Sequence, residues 1–205
     1  MMKRITSIVL VLCMAFGLTG CNAITIDGKG EVMESTGNGS VELSVSTLNN
    51  PFFVSLAEGA KATAKEKGVN LVVADAGDDS AKQQNDIEDL ISKNVSVLIV
   101  NPVDSDAVAP AVQNAISQGI KVISVDRVVN GVDVDCQIAS DNVAGARMAT
   151  EYLIEQIGEG AKVAELQGVP GASATIDRGA GFHEAADEAL DVGQARALIS
   201  IAQRA

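Results

Sequence analysis

The chain of 205 residues has no tryptophan, one tyrosine, four phenylalanines, one histidine and three cysteines. Each scarcity excludes something. The single histidine, His183, has no evident Ser or Cys nucleophile to serve, so no set for covalent catalysis is in place. No Cys/His cluster has metal-ligand spacing. Lys and Arg number 15 against 27 Asp and Glu, a formal charge of −12. That balance argues against nucleic-acid binding, which needs basic surface. It names no partner, because acidic surface is also an ordinary solubility device. The aspartates of Asp75-Ala-Gly-Asp-Asp79 lack an EF-hand pattern and read as an acidic loop. The turn Gly168-Val-Pro-Gly171 lacks the Gly-Lys-Ser/Thr ending of a phosphate loop. A non-enzymatic chain with no cofactor and no metal is expected.

Residues 1–20 read as an export leader. Lys3 and Arg4 make a basic start, Ile8 to Phe16 an apolar run too short to span a bilayer comfortably, and Leu18-Thr-Gly-Cys21 closes it. That ending is similar to the lipobox of bacterial lipoproteins, and the similarity implies a lipid attached at Cys21, which would hold the chain at a membrane surface without crossing it. A plain signal peptide with an incidental Cys21 is the alternative. Residues 21–40, rich in Gly, Ser and Thr with no sustained apolar period, read as a flexible tether. Cys13 falls in the leader. Cys136, in an apolar strand-like run, reads as a buried, inert thiol.

From residue 41 the pattern alternates. Val41–Thr47 reads as a strand and Pro51–Lys67 as a helix with Asn50 at its cap, Pro51 at its first position and Gly68 at its end. Further strands are expected at 70–74, 95–100, 121–125, 136–139 and 161–167, and further helices at 81–93, 105–117, 141–157 and 173–190. Strands separated by such helices need crossover connections, hence a mostly parallel sheet covered on both faces. Ligands of such sheets bind at the carboxyl ends of the strands, where strand order reverses.

Four strand ends carry chemistry. Asn49, Asn50, Phe52 and Phe53 follow the first strand, and aromatic faces beside an amide suit a ligand that is polar at its edges and apolar on its faces, as a sugar ring is. Asn101-Pro-Val-Asp-Ser-Asp106 follows the third, where Asp104 and Ser105 read as caps of the next helix. The fourth delivers Asp126-Arg127, a carboxylate and a planar guanidinium able to grip hydroxyls from two sides. As a bare dipeptide the same pair reads as a solvated salt bridge. Asp141 and Asn142 admit a capping role as well as a contact. Arg178 lies near the start of a helix, where a cation gains nothing from the helix dipole, so a partner or ligand should explain it; spacing alone equally allows a surface arginine.

Ser46-Thr-Leu-Asn-Asn-Pro-Phe-Phe-Val-Ser-Leu56, Asn101-Pro-Val-Asp-Ser-Asp-Ala-Val108, Val125-Asp-Arg127, Ile138-Ala-Ser-Asp-Asn142 and Glu165-Leu-Gln-Gly168 together resemble the ribose-binding proteins, the solute receptors of ATP-driven sugar importers. The resemblance covers residues 41 to about 192. It implies an α/β fold of the periplasmic-binding-protein type I, two Rossmann-like lobes with parallel sheets that close over a monosaccharide. Residues 41–139 would form the N-terminal lobe and 140–192 part of a second lobe, incomplete here. The family's sugar contacts fall on Asn50, Phe52, Phe53, Asp126, Arg127 and Arg178, with the phenylalanines stacking on the ring and the polar groups bonding its hydroxyls. The hinge crossing would fall near 139–141.

The resemblance further implies delivery of D-ribose or a similar monosaccharide to ABC permease subunits, a chemoreceptor as another possible docking partner, and a lipid-anchored monomer in the periplasm or on the outer face of the cytoplasmic membrane. A receptor for another small polyol or furanosyl signal, feeding chemotaxis or a sensor kinase, is the alternative reading. A sugar-responsive repressor would need a helix-turn-helix where the leader stands. Residues 193–205 depart from the family's pattern; a reading-frame shift is one explanation of that tail and a genuine short variant the alternative. The expectation is therefore a truncated, impaired receptor, since a sheet without its later strands leaves an open edge and uncovered helix faces.

Overall fold

A computed structural model describes residues 39–193 except 94, 159, 188 and 190. The chain divides into two units, Met1–Gly37 and Asn38–Ala205, and every described residue lies in the second. The leader, the Cys21 site, nearly all of the tether and all but the first residue of the 193–205 tail fall outside the described residues.

Five strands form one parallel sheet: β1 (Ser40–Val45), β2 (Asn70–Asp75), β3 (Val97–Val100), β4 (Lys121–Val125) and β5 (Cys136–Ile138), in the order β2-β1-β3-β4-β5. The helices between them are α1 (Pro51–Lys67), α2 (Ser80–Ser92) and α3 (Ala109–Ser117). Beyond β5 come α4 (Asn142–Ile157), β6 (Lys162–Ala164), α5 (Ser173–Ala186) and β7 (Asp191–Gly193), with β6 and β7 paired in parallel as a second, two-stranded sheet. The chain steps outward from β1 to β2, then crosses back so that β3 pairs with the other side of β1. Strand order therefore reverses between β1 and β3, and the crevice at their carboxyl ends is the switch point of the fold.

Local chemistry explains the element ends. The Asn50 side chain accepts the Phe52 N–H at 3.0 Å and Pro51 supplies the first helical residue of α1. Gly68 closes that helix in the left-handed region at φ 67°. Asp79 caps α2 through the Ala81 and Lys82 amides, and Asp141 caps α4 through Ala144.

The core is split by the sheet. On one face α2 and α3 bring Ile87, Leu90, Val108, Val112 and Ala115 onto Leu98, Val100 and Val122. On the other, α1 packs Ala57 and Leu56 against Leu43, Val45 and Val73. A continuous strand such as Val97–Val100 is apolar because helices lie on both sides of the sheet.

Several expectations need correction. Cys136 is exposed, not buried: among the described residues β5 is the outer strand of its sheet and pairs with β4 alone, and all three of its residues are exposed. Ser105 does not cap a helix; α3 starts at Ala109, and Ser105 is fully buried with its hydroxyl accepting the Ser173 N–H at 3.2 Å. Asp104 does cap the intervening turn, taking the Asp106 and Ala107 amides at 2.9 and 2.8 Å. The strand expected over 161–167 is confined to Lys162–Ala164, and the last helix stops at Ala186, leaving room for β7, which the apolar pattern did not announce.

Candidate functional site

The switch-point crevice gathers the chemistry of three strands. Asn101, at the end of β3, is fully buried, and its side-chain oxygen takes both the Ser46 N–H (3.2 Å) and the Ser46 hydroxyl (2.7 Å) from the end of β1. Its amide nitrogen donates to the Val125 carbonyl at 3.1 Å and to Asp126 Oδ2 at 3.4 Å, at the end of β4. One side chain therefore ties three neighbouring strand ends together.

Asp126 holds a left-handed backbone, φ 64°, a conformation uncommon for a residue with a side chain. Its own N–H bonds the Ile138 carbonyl at 2.8 Å, pinning the turn to β5. The turn aims the Asp126 carboxylate toward Arg127 Nε, 3.8 Å away. Arg127 is buried, and its guanidinium donates to the Pro102 carbonyl at 2.8 Å. Burial holds the Arg127 pKa below its ordinary value; Asp126 and Asp78 oppose that effect, and Arg178 adds to it. The charges surrounding Arg127 thus come from the ends of β2 and β4 and from α5.

The two adjacent phenylalanines are placed very differently. Phe52 is 56% exposed, whereas Phe53 is 2% exposed and lies under Arg127, whose central carbon is 5.3 Å from the ring centroid. The rings meet edge to face at 5.3 Å. Asn50 is exposed, with its oxygen engaged in capping α1. Arg178 has the partner its position demanded: its Nε donates to Asn142 Oδ1 at 2.8 Å, linking α5 to the start of α4. The segment before α5 seats on the first sheet's loops through Ser105 N–H to Gly171 O (2.9 Å) and Val128 N–H to the Ser173 hydroxyl (2.9 Å).

The acidic loop is used locally. Asp75 Oδ1 accepts the Leu48 and Gly77 amides at 3.1 and 2.9 Å. Among the described residues no group of three His, Cys, Asp or Glu could hold a metal ion, and no helix is long and apolar enough to cross a membrane. His183 sits between Asp187 Oδ1 (2.9 Å) and Glu165 Oε2 (3.2 Å), and its pKa is raised, first by the Asp187 hydrogen bond. Its contact with Glu165 bridges α5 to the segment after β6 and is an ion pair when the imidazole is protonated.

Sequence reasoning passed over Gln83 and Ser173. The available signal for Gln83 was its spacing: it stands four residues before Ile87 and seven before Leu90, on the buried stripe of α2, where an amide must be satisfied internally.

Residues 41–200 match the periplasmic binding protein domain, and the chain belongs to that family. It is 45% identical over 196 residues to the ribose import binding protein of Bacillus subtilis strain 168, covering 93% of this chain and 63% of the relative. With the ribose import binding protein of Escherichia coli K12 it shares 48% identity over 146 residues, 71% of this chain and 49% of the relative. Among solved structures, a Caulobacter myo-inositol binding protein bound to myo-inositol superposes with a TM-score of 0.72 at 32% identity, covering 80% of this chain and 57% of that one. The parallel α/β architecture is that of the periplasmic-binding-protein type I fold. The chain spans 49–63% of the length of these two curated relatives.

Proposed function

We propose that this chain captures a monosaccharide, D-ribose or a ring close to it, for an ABC-type importer, without chemical conversion of the sugar. The observation that carries the reading is the Asp126–Arg127 pair, set by a left-handed turn at the switch point of a parallel sheet, with Arg127 over Phe53 and the exposed ring of Phe52 edge to face against Phe53. Phe52 offers the apolar face of the sugar a stacking surface. Asp126 accepts from hydroxyls, while Arg127, Arg178 and the amide nitrogen of Asn50 donate to them. Phe53 supports Arg127 from beneath and meets the ring chiefly through that guanidinium. The similarity to ribose import binding proteins at 45–48% identity supports ribose as the first ligand to try.

Arg178 joins from the segment beyond residue 140, so binding and approach of the two parts form one linked equilibrium. Export, a lipid on Cys21 and handover to membrane permease subunits belong to the same reading, with the chain acting as a monomer in the periplasm or at the outer face of the cytoplasmic membrane. The myo-inositol-bound neighbour favours a second reading, a receptor for a cyclic polyol.

Isothermal titration of the full chain with D-ribose, D-allose and myo-inositol tests both. A saturable heat for one ring, lost in Asp126→Ala, supports capture, and its identity decides between the readings. No heat with any of the three at about 10 mM, where even a millimolar complex would be mostly formed, overturns the proposal.

A further inference from the structure

Behind the crevice lies a buried amide that touches none of the proposed sugar contacts. Gln83, on α2, is fully buried. Its Nε2 donates to the Ser44 hydroxyl at 3.1 Å and to the Asn101 carbonyl at 2.9 Å, and its Oε1 accepts the Val103 N–H at 2.8 Å. The two loop bonds bracket Pro102, a residue with no N–H of its own to anchor the loop. Pro102 is the residue whose carbonyl receives the Arg127 guanidinium. Asn101 completes the frame by joining Ser46, Val125 and Asp126.

We propose that Gln83 and Asn101 are positioning residues for the Asp126–Arg127 pair: Gln83 fixes the loop that holds Arg127, and Asn101 sets the Asp126 carboxylate. A methionine or leucine at position 83 would fill similar space without the cost of burying an amide. Its absence would leave the Val103 N–H and one Asn101 acceptor without their partner, and the loop would lose its anchor on both sides of Pro102. The fit of the amide is specific, because a donor is needed at Asn101 O and an acceptor at Val103 N. The orientation of the side chain follows from those two demands. The assignment of a sugar to this pair rests on the proposed function; the assignment of Gln83 and Asn101 to the geometry of Asp126 and Arg127 does not.

The test compares full-length Gln83→Met with a core control on the same helix, Ile87→Val, at temperatures offset to equal distance below each melting point. Hydrogen exchange is followed by mass spectrometry in peptides covering 101–103 and 125–128. Gln83→Met should accelerate exchange there about tenfold beyond the control, a local opening on an otherwise intact fold. D-Ribose affinity should fall about tenfold with it and stay near wild type in the control. Gln83→Glu supplies the rescue arm: protonated, it keeps the Val103 bond and one donor, so its exchange relative to wild type should be near normal at low pH and accelerate as the carboxyl ionises. That arm also serves if Gln83→Met does not fold. Equal exchange in Gln83→Met and Ile87→Val, or a pH-independent Gln83→Glu, overturns the proposal. A wild-type chain that binds no sugar overturns the functional reading and leaves the exchange result to decide this one.

Discussion

Phe53 lies face-on beneath the Arg127 guanidinium, 5.3 Å from ring centroid to central carbon, and the contact is shut off from solvent. Two adjacent aromatic residues thereby take different tasks. Phe53→Ala should cost about 3–5 kcal/mol of stability, as for other buried phenylalanines, whereas Phe52→Ala should stay within roughly 0.5 kcal/mol of wild type. Phe53→Leu keeps apolar volume but removes the π face under a largely desolvated cation, with an expected loss of about 1–2 kcal/mol. Urea unfolding of the three variants checks the order. Equal losses for Phe52→Ala and Phe53→Ala would mean that the two rings share one environment.

Asp126 combines a positive φ with a proposed ligand contact, and the two can be separated by substitution. Asparagine tolerates the left-handed region and keeps an oxygen for the Asn101 amide, so Asp126→Asn should hold stability within about 0.5 kcal/mol. Alanine at the same φ should cost roughly 1–2 kcal/mol. Both should weaken sugar binding, because each removes the carboxylate. Thermal melts paired with ribose titration read the two effects independently. If Asp126→Asn binds as tightly as wild type, the carboxylate charge is not the gripping group.

Much of this arrangement was legible in the sequence, and the parts that were not share a physical cause. Val97-Leu-Ile-Val100 announced a strand buried on both faces, and Asn50-Pro51 and Gly68 marked the ends of α1, because local propensity and packing agree there. The switch-point rule then placed Asp126 and Arg127 in one crevice with the end of β1. The partition between Phe52 and Phe53 was hidden, since successive helical residues point about 100° apart and only tertiary packing decides which faces inward. Cys136 was misread for a related reason: an apolar run reports the potential for burial, while among the described residues β5 has a neighbour on one side alone. Gln83 was passed over because its partners lie 18 to 39 residues away.

At Gly181, helix α5 lies directly against the backbone of α4. A Cβ there would run into the Val143 carbonyl oxygen and come within 3.0 Å of the Arg147 nitrogen, both backbone atoms that cannot swing aside. Gly181→Ala should therefore push the helices apart, at a cost of about 1–3 kcal/mol. Because Arg178 is one turn away on the same helix, its 2.8 Å bond to Asn142 should weaken as well. Gly179→Ala is the matched control: its nearest neighbour is Glu165 Oε1 at 3.5 Å, ordinary contact, so the better helix propensity of alanine should make it neutral or stabilising by up to about 1 kcal/mol. Differential melting of the pair checks this, and a harmless Gly181→Ala would mean that the contact between the two helices yields to a methyl group.

Stability should fall as pH rises through neutrality, with Glu42 as the main source. Glu42 is 3% exposed on β1, on the sheet face covered by α2, and its pKa is raised from 4.5 to about 7. Burial is the largest cause; Lys93 at the end of α2 pulls the other way, and Asp86, itself bonded to Lys82 at 2.6 Å, reinforces the rise. The folded state therefore binds this proton more tightly than the unfolded chain does. No penalty exists below pH 4.5, where both states are protonated; it grows from there and is complete above pH 7, reaching up to about 3 kcal/mol. His183, whose pKa is also raised, acts with the same sign, since its favourable ion pairs are present below its unfolded value and fade as it deprotonates. Urea midpoints at about pH 5.5 and pH 8 should fall markedly in the wild type, and the drop should shrink in Glu42→Gln, which buries a neutral isostere at every pH. If the glutamine variant shows the full wild-type slope, Glu42 ionises without strain and the sheet face around it is wetter than its burial indicates.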